Sequence, residues 1–363
     1  MDNLTVACIG DVMCGDSFSR IGMGVTRSLD KYGRGFVPPD IIDIFKRHNL
    51  VLCNLECVFS DIGRKEKSLR SLHMRGRPKM VQYLAEWGIN VANVANNHIL
   101  EQGQNCAIDT VLQLNKAGIK TIGAGRRGLF EPGIEAAEMD FSGQKVAVFG
   151  LCLLEEKYVF NGGGSLNEVL EAIKTKTEKD SFVIVSVHWG DEMMDRPSLW
   201  QRKTARQLID AGAKLVVGHH PHIIQGIENI SGSLVAYSLG NFIFDSSSEA
   251  TGWSMILSVA ISGGEIVEWK GIPIIRGDDY RPTLASGIRK EDLERKIAQK
   301  CDILRQEMQD SEYTEKNVSE LQEISFQSKR RLRRNLLKRF VKYPPIYWPQ
   351  IIFRPIQRRL GIW

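Results

Sequence analysis

Residues 214–222 read KLVVGHHPH: a short apolar run of strand length, closed by a glycine, with three imidazoles in the next four positions. Histidines that close together rarely serve packing. The same grammar, an apolar run followed by polar side chains, recurs upstream. Runs at 4–9, 50–54, 90–94, 120–122, 145–150 and 182–188 have strand character, and segments 40–47, 79–87, 104–117, 165–175 and 199–211 between them have helical spacing. Pro197-Ser198 offers a start signal for the last helix. Alternating strands and helices predict a parallel sheet. From His222 onward the texture becomes short β-rich runs (223–228, 234–238, 255–261, 265–275), which predict a second, mainly antiparallel sheet. Two facing sheets with helices outside would bury strands on both faces, which explains why the runs are continuously apolar.

In open α/β sheets, ligands bind beyond the carboxyl ends of the strands. Five of the seven histidines (His98, His188, His219, His220, His222) directly follow predicted strands, whereas His48 and His73 look incidental. Gly10-Asp11, Asn54-Leu55-Glu56 and Asn96-Asn97-His98 sit at equivalent strand ends. Carboxylates from separate strands repel, and clustered neutral imidazoles have no reason to gather, unless a cation holds both. The donor set suits a borderline divalent ion, Zn, Mn or Fe, as one ion or as two sharing a carboxylate. Each element also has a plainer reading: Asp11 as an Asx-turn, Asn54 and Glu56 as helix caps, Asn96-Asn97-His98 as a turn.

Composition narrows the classes. The chain has 363 residues, 43% hydrophobic and 25% charged, an ordinary globular balance. Seven cysteines without a C-x-x-C pair favour a reducing compartment over a disulfide framework. No apolar run is long enough to span a bilayer, and the start lacks a basic n-region, which predicts a cytoplasmic protein. The net charge of +5 is unevenly divided: residues 324–363 hold eleven Lys and Arg and no carboxylate, so residues 1–323 carry −6. The tail mixes cations with Leu332, Leu336, Leu337 and Phe340 at helical spacing, then interfacial aromatics, which suits an anionic membrane surface at the inner face; a solvated helix followed by a strap on the body is the alternative. Nucleic acid is disfavoured, since nothing in the body adds a basic groove. The glycines at 162–164 and Gly22-Met23-Gly24 match no phosphate or dinucleotide fingerprint.

These motifs resemble the capsule-synthesis CapA family, whose founding members serve in poly-γ-glutamate biosynthesis. The segments are 10–13 (GDVM), 54–56 (NLE), 74–78 (MRGRP), 95–98 (ANNH) with Gly103, 188–190 (HWG) with Glu192, 218–222 (GHHPH) and 237–242 (YSLGNF), spanning residues 4 to about 245. The resemblance implies a calcineurin-like metallophosphoesterase fold, an α/β four-layer αββα sandwich. Beyond the motifs, the texture shifts to helix formers after about Pro282, which divides the chain into a domain at 1–282, a helical extension at 283–328 and a basic aromatic tail at 329–363. The resemblance further implies metal-ligand roles for Asp11, Glu56, Asn97, His188, His220 and His222, with His98 as the acid and Arg75 on an anionic substrate group. Related phosphoesterases carry a His where this chain has Met13, and Glu101 stands where the family usually has Asp. Two functions follow: a divalent-metal hydrolase acting on a phosphoester or amide of an anionic polymer or phosphorylated precursor, or a non-catalytic subunit that holds such a polymer for a synthesis or export complex.

Overall fold

The computed structural model describes residues 4–131, 133–154, 165–246, 248–305, 323, 342–343 and 345–352. Along the chain these form β1 (Leu4–Val12), α1 (Val25–Tyr32), α2 (Pro39–Lys46), β2 (Leu50–Leu55), β3 (Val58–Phe59), α3 (Leu69–Leu72), β4 (Arg75–Gly76), α4 (Val81–Trp87), β5 (Val91–Asn93), α5 (Gln104–Lys116) and β6 (Lys120–Ile122). Next come β7 (Ala137–Phe141), β8 (Gln144–Leu153), α6 (Leu166–Thr177), β9 (Phe182–Trp189), α7 (Leu199–Asp210), β10 (Ala213–His219), β11 (Ile227–Ile230) and β12 (Ser233–Ala236). The last elements are β13 (Asn241–Ile243), β14 (Trp253–Ser262), β15 (Glu265–Arg276), β16 (Pro282–Leu284) and α8 (Gly287–Arg305). Ser198 caps α7 through a capping box with Gln201, so the start signal there works as expected.

Two sheets result. The first runs β16-β15-β14-β1-β2-β5-β6, with β13 also pairing on β1; the second runs β11-β12-β10-β9-β8-β7. Strand alternation sorts the side chains into three cores. Leu4, Val6, Cys8, Leu50 and Leu52 face Val146, Val148, Ile184, Leu215 and Val217 between the sheets. On the other face of the first sheet, Ala7, Ile9, Val51 and Cys53 pack under helices that contribute Leu29, Ile41, Leu84 and Leu114. Ala147, Phe149, Val183 and Val185 pack under Val169, Ile173, Ala205 and Leu208 on the outer face of the second. The molecule is therefore a four-layer αββα sandwich.

One expectation is corrected. The β-rich part after His222 does not make a separate antiparallel sheet. β11 and β12 extend the second sheet, with β12 parallel to β10, while β14 returns to the first, antiparallel to β1, and β15 and β16 follow it, each antiparallel to the strand before. Local patterning identifies a strand but not its partner, which lies about 250 residues away for β1 and β14. Beyond β16, α8 buries Leu293 and Leu304 against the sandwich. The glycines at 162–164 and most of the basic tail, including Leu332, Leu336, Leu337 and Phe340, lie outside the described residues.

β1 passes close to the turn before β13: the Asp11 amide donates to the Gly240 carbonyl at 2.9 Å. A Cβ on Gly10 would overlap that same carbonyl oxygen, so glycine is obligatory there. We expect Gly10→Ala to cost about 3 kcal/mol, the upper end for overpacking against backbone. Chemical denaturation of the variant checks this, and an unchanged midpoint would show that the turn yields freely.

Candidate metal centre

Register brings the polar strand ends level. Asp11 pairs with Asn54 and with Asn241, and Asn54 with Asn93, in the first sheet; His188 pairs with His219 in the second. The two rows meet across the sandwich, where Asn93 Nδ2 donates to Ser186 Oγ at 3.1 Å.

At the centre lies the amide of Asn54. Its Nδ2 donates to Asp11 Oδ1 and to Glu56 Oε1, both at 2.9 Å, with His188 Nδ1 3.1 Å away. The other ring nitrogen of His188, Nε2, lies 3.0 Å from Asn97 Oδ1; a carbonyl oxygen only accepts, so Nε2 carries the proton. His222 Nδ1 is 3.2 Å from Asp11 Oδ2 and 3.0 Å from Asn241 Oδ1, and His222 Nε2 is 3.9 Å from Glu56 Oε2. His219 Nδ1 is 3.3 Å from Asp11 Oδ1. The His220 ring centroid lies 4.6 Å from that of His188. Both His220 and His222 adopt positive φ, 94° and 59°, a strained backbone for non-glycine residues that costs about 1–3 kcal/mol each and that turns both rings inward.

Two groups of donor atoms lie within 4.8 Å of one another: Asp11, Glu56 and His222, and Glu192, His220 and His222. Glu56 Oε2 and His220 Nδ1 are buried with no hydrogen-bond partner among the described residues. Orphaned buried acceptors of this kind carry a desolvation cost that a cation removes. The donor set of carboxylates, imidazoles and an amide oxygen therefore fits a divalent ion.

The charges point the same way. Burial would raise the Asp11 carboxyl, but His219 and His222 beside it prevail and hold it well below the usual carboxylate range. Burial, and then the charge of Asp11, push Glu56 well above its ordinary value. For His222, burial is outweighed by the carboxyl groups of Glu56 and Asp11, which raise it to about 10. With Glu56 itself raised, the lasting ion pair joins Asp11 to His222. Burial and the neighbouring imidazoles lower His188 well below the usual range and His220 to about 4, so both are neutral, as ligands must be.

His98 stands beside this cluster. Asn96, buried, fixes its turn by accepting from the His98 and Ile99 amides and donating to the Leu55 carbonyl. His98 Nδ1 is 3.1 Å from Glu101 Oε1. His73, set aside as incidental in the sequence, reaches Oε2 of the same carboxylate at 3.2 Å. Burial is overcome by these two imidazoles, which pull Glu101 far below its ordinary range. His48 is structural, set between the Ile44 carbonyl and Ser258 Oγ. Arg75 lies to one side: it is buried, and its Nη atoms donate to the Ser60 and Ile62 carbonyls and to Gln102 Oε1. Met13 is fully buried in apolar packing under the helices. The structure also adds Glu192, His219 and Asn241, which lie in quoted motifs but outside the set of implied ligands.

The profile of the bacterial capsule synthesis protein family, PGA_cap, matches residues 5–246. The chain is 28% identical to the capsule biosynthesis protein CapA of Bacillus anthracis, over 67% of this chain and 60% of that protein. It is 26% identical to the PGA biosynthesis protein CapA of Bacillus subtilis, over 86% of this chain and 80% of that one. The chain thus spans about 60% of the length of the first of these relatives and 80% of the second. Among solved structures, a novel phosphatase from Mycoplasma pneumoniae superposes with a TM-score of 0.45 at 14% identity, covering 76% of this chain and 94% of that one.

A cation entering the Asp11, Glu56 and His222 group must displace the proton that His222, raised to about 10, retains. We expect divalent-metal affinity to climb between pH 6 and 8, by about tenfold per pH unit for each proton released. Calorimetry in buffers of differing ionisation enthalpy counts those protons, and a pH-independent affinity would place the ion elsewhere.

Proposed function

Because the chain belongs to the bacterial capsule synthesis protein family, we propose that it is a divalent-metal-dependent hydrolase that cleaves a phosphoester or an amide of an anionic surface polymer of the poly-γ-glutamate type, or of its precursor. One observation carries this reading: buried carboxylates and imidazoles from two sheets converge, with acceptor atoms left unsatisfied, beside an imidazole that is held but not consumed. Asp11, Glu56 and His222 would hold an ion, with His220, Glu192, His188 and Asn97 completing the set or holding a second. Mn, Fe or Zn would suit it. Such an ion, when bound, supplies Lewis acidity and an acidified water.

The remaining work falls to the chain. Glu101 fixes the His98 ring through Nδ1, so that Nε2 presents the proton a leaving group needs. His73, sharing that carboxylate, keeps Glu101 ionised and in place. Asn54 spaces the two carboxylates, and Asn97 orients His188. Arg75 would meet an anionic group of the substrate from the flank.

The second reading, a subunit that holds polymer without turnover, is favoured by Met13. This side chain is committed to apolar packing and offers no nitrogen ligand on that side of Asp11.

Purified protein should bind a divalent ion and turn over a phosphodiester or poly-γ-glutamate. His98→Gln should lower kcat by about 100-fold or more while leaving metal content intact. Metal binding without turnover of either substrate would hand the function to the second reading.

A further inference from the structure

Beside the His98 dyad the body opens a cavity of about 540 Å³ walled by Arg27, Arg64, Arg75, Arg77 and Lys342. These cations come from four separate stretches of sequence. Two carboxylates also line it, and both are engaged. Asp16 accepts from the Gly22 and Thr26 amides and from Thr26 Oγ1, and Glu66 pairs with Arg64 at 2.6 Å. Arg77 is matched by Asp30 at 2.7 Å.

Among the described residues, three cations are left without a carboxylate partner, against the one carboxylate, Asp16, that is met only by neutral donors. Arg75 is 4% exposed, its contacts are all neutral, and its Nε is buried with no hydrogen-bond partner among the described residues. A buried guanidinium facing only dipoles is costly unless an anion completes it. Arg27 and Lys342 are exposed at the rim, and among the described residues neither has a carboxylate within ion-pair distance.

A strap roofs the cavity. Tyr343 and Tyr347 line it, and the strap is pinned by Tyr343 Oη on the Phe18 carbonyl at 3.2 Å, by Tyr347 Oη on the Glu66 carbonyl and by Gln350 on the Leu69 amide and Lys67 carbonyl, both at 2.8 Å. The hydroxyl protons of both tyrosines are spent on the Phe18 and Glu66 carbonyls, so the cations alone suit the cavity to acidic oxygen atoms.

We propose that this cavity is a second binding subsite, one that takes an oxyanion group, carboxylate or phosphate, of the chain-like anionic ligand whose neighbouring unit occupies the metal centre. The identity of the ligand rests on the hydrolase reading; the anion site itself does not. Gln102, which accepts from Arg75, follows directly on Glu101, which holds His98, so the cavity's buried guanidinium is tied to the segment that positions His98.

The test uses the full chain after metal removal with a chelator, so that neither turnover nor the metal centre contributes. Calorimetric titration with tripolyphosphate and, separately, with a tetrapeptide of glutamate should show salt-sensitive binding of at least one probe. Preference for the first assigns phosphate, and preference for the second assigns carboxylate. The double variant Arg27→Glu with Lys342→Glu should weaken that binding about tenfold, since two rim charges are reversed without breaking an ion pair. A second double variant, Lys145→Glu with Lys270→Glu, changes net charge equally on exposed strand positions that do not line the cavity, and should bind as the parent does. No binding of either probe, or equal weakening in both double variants, would overturn the proposal. Failure of hydrolysis in the loaded protein would leave this result standing.

Discussion

Asp11 and Glu56 are both fully buried, and a single amide nitrogen lies between them. Two carboxylates cannot both stay charged at that depth on the strength of one amide. The molecule settles the conflict by protonation: Asp11 keeps its charge against His222 and Glu56 is pushed toward its neutral form. This arrangement costs strain as well as protons. The residues that answer Asp11 are brought in by a loop with two non-glycine residues at positive φ. A fold that wanted only stability would have leucines here. The centre therefore reads as an arrangement suited to a cation.

Much of this was legible from sequence because strands buried on both faces leave continuous apolar runs, and polar residues at their ends then stand out. The seven predicted strands through residue 218 all exist, and Asp11, Glu56, His188, His220 and His222 share one centre with Asn97 on its rim. What escaped was nonlocal. Sheet membership of β13 to β16 depends on pairing with a strand at the other end of the domain. His73 lies 28 residues from Glu101, and nothing around it signals that both imidazoles share that carboxylate. The cationic cavity draws on residues from 27 to 342, each unremarkable among its neighbours in a chain with 48 Lys and Arg. Charge runs can be read along a sequence, whereas charge concavities cannot.

The division of labour between the sheets has a further consequence. The buried carboxylates and the amides at the centre, Asp11, Asn54, Glu56, Asn97 and Asn241, come from the first sheet and the turns that leave it; the imidazoles His188, His219, His220 and His222 come from the second, as does the exposed Glu192 after β9. Without a cation, the rows are joined there by the Asp11 to His222 and Asp11 to His219 contacts, by His188 on Asn54 and Asn97, and by Asn93 on Ser186. A bound ion would add bonds across the same seam that the apolar inter-sheet core closes beneath it. Binding that favours the native state stabilises it by mass action, about 2.7 kcal/mol at a hundredfold excess over Kd. Packing between the sheets and assembly of the centre are thus one process seen from two ends: the apolar core brings the rows within reach, and a cation would remove the electrostatic penalty of having done so.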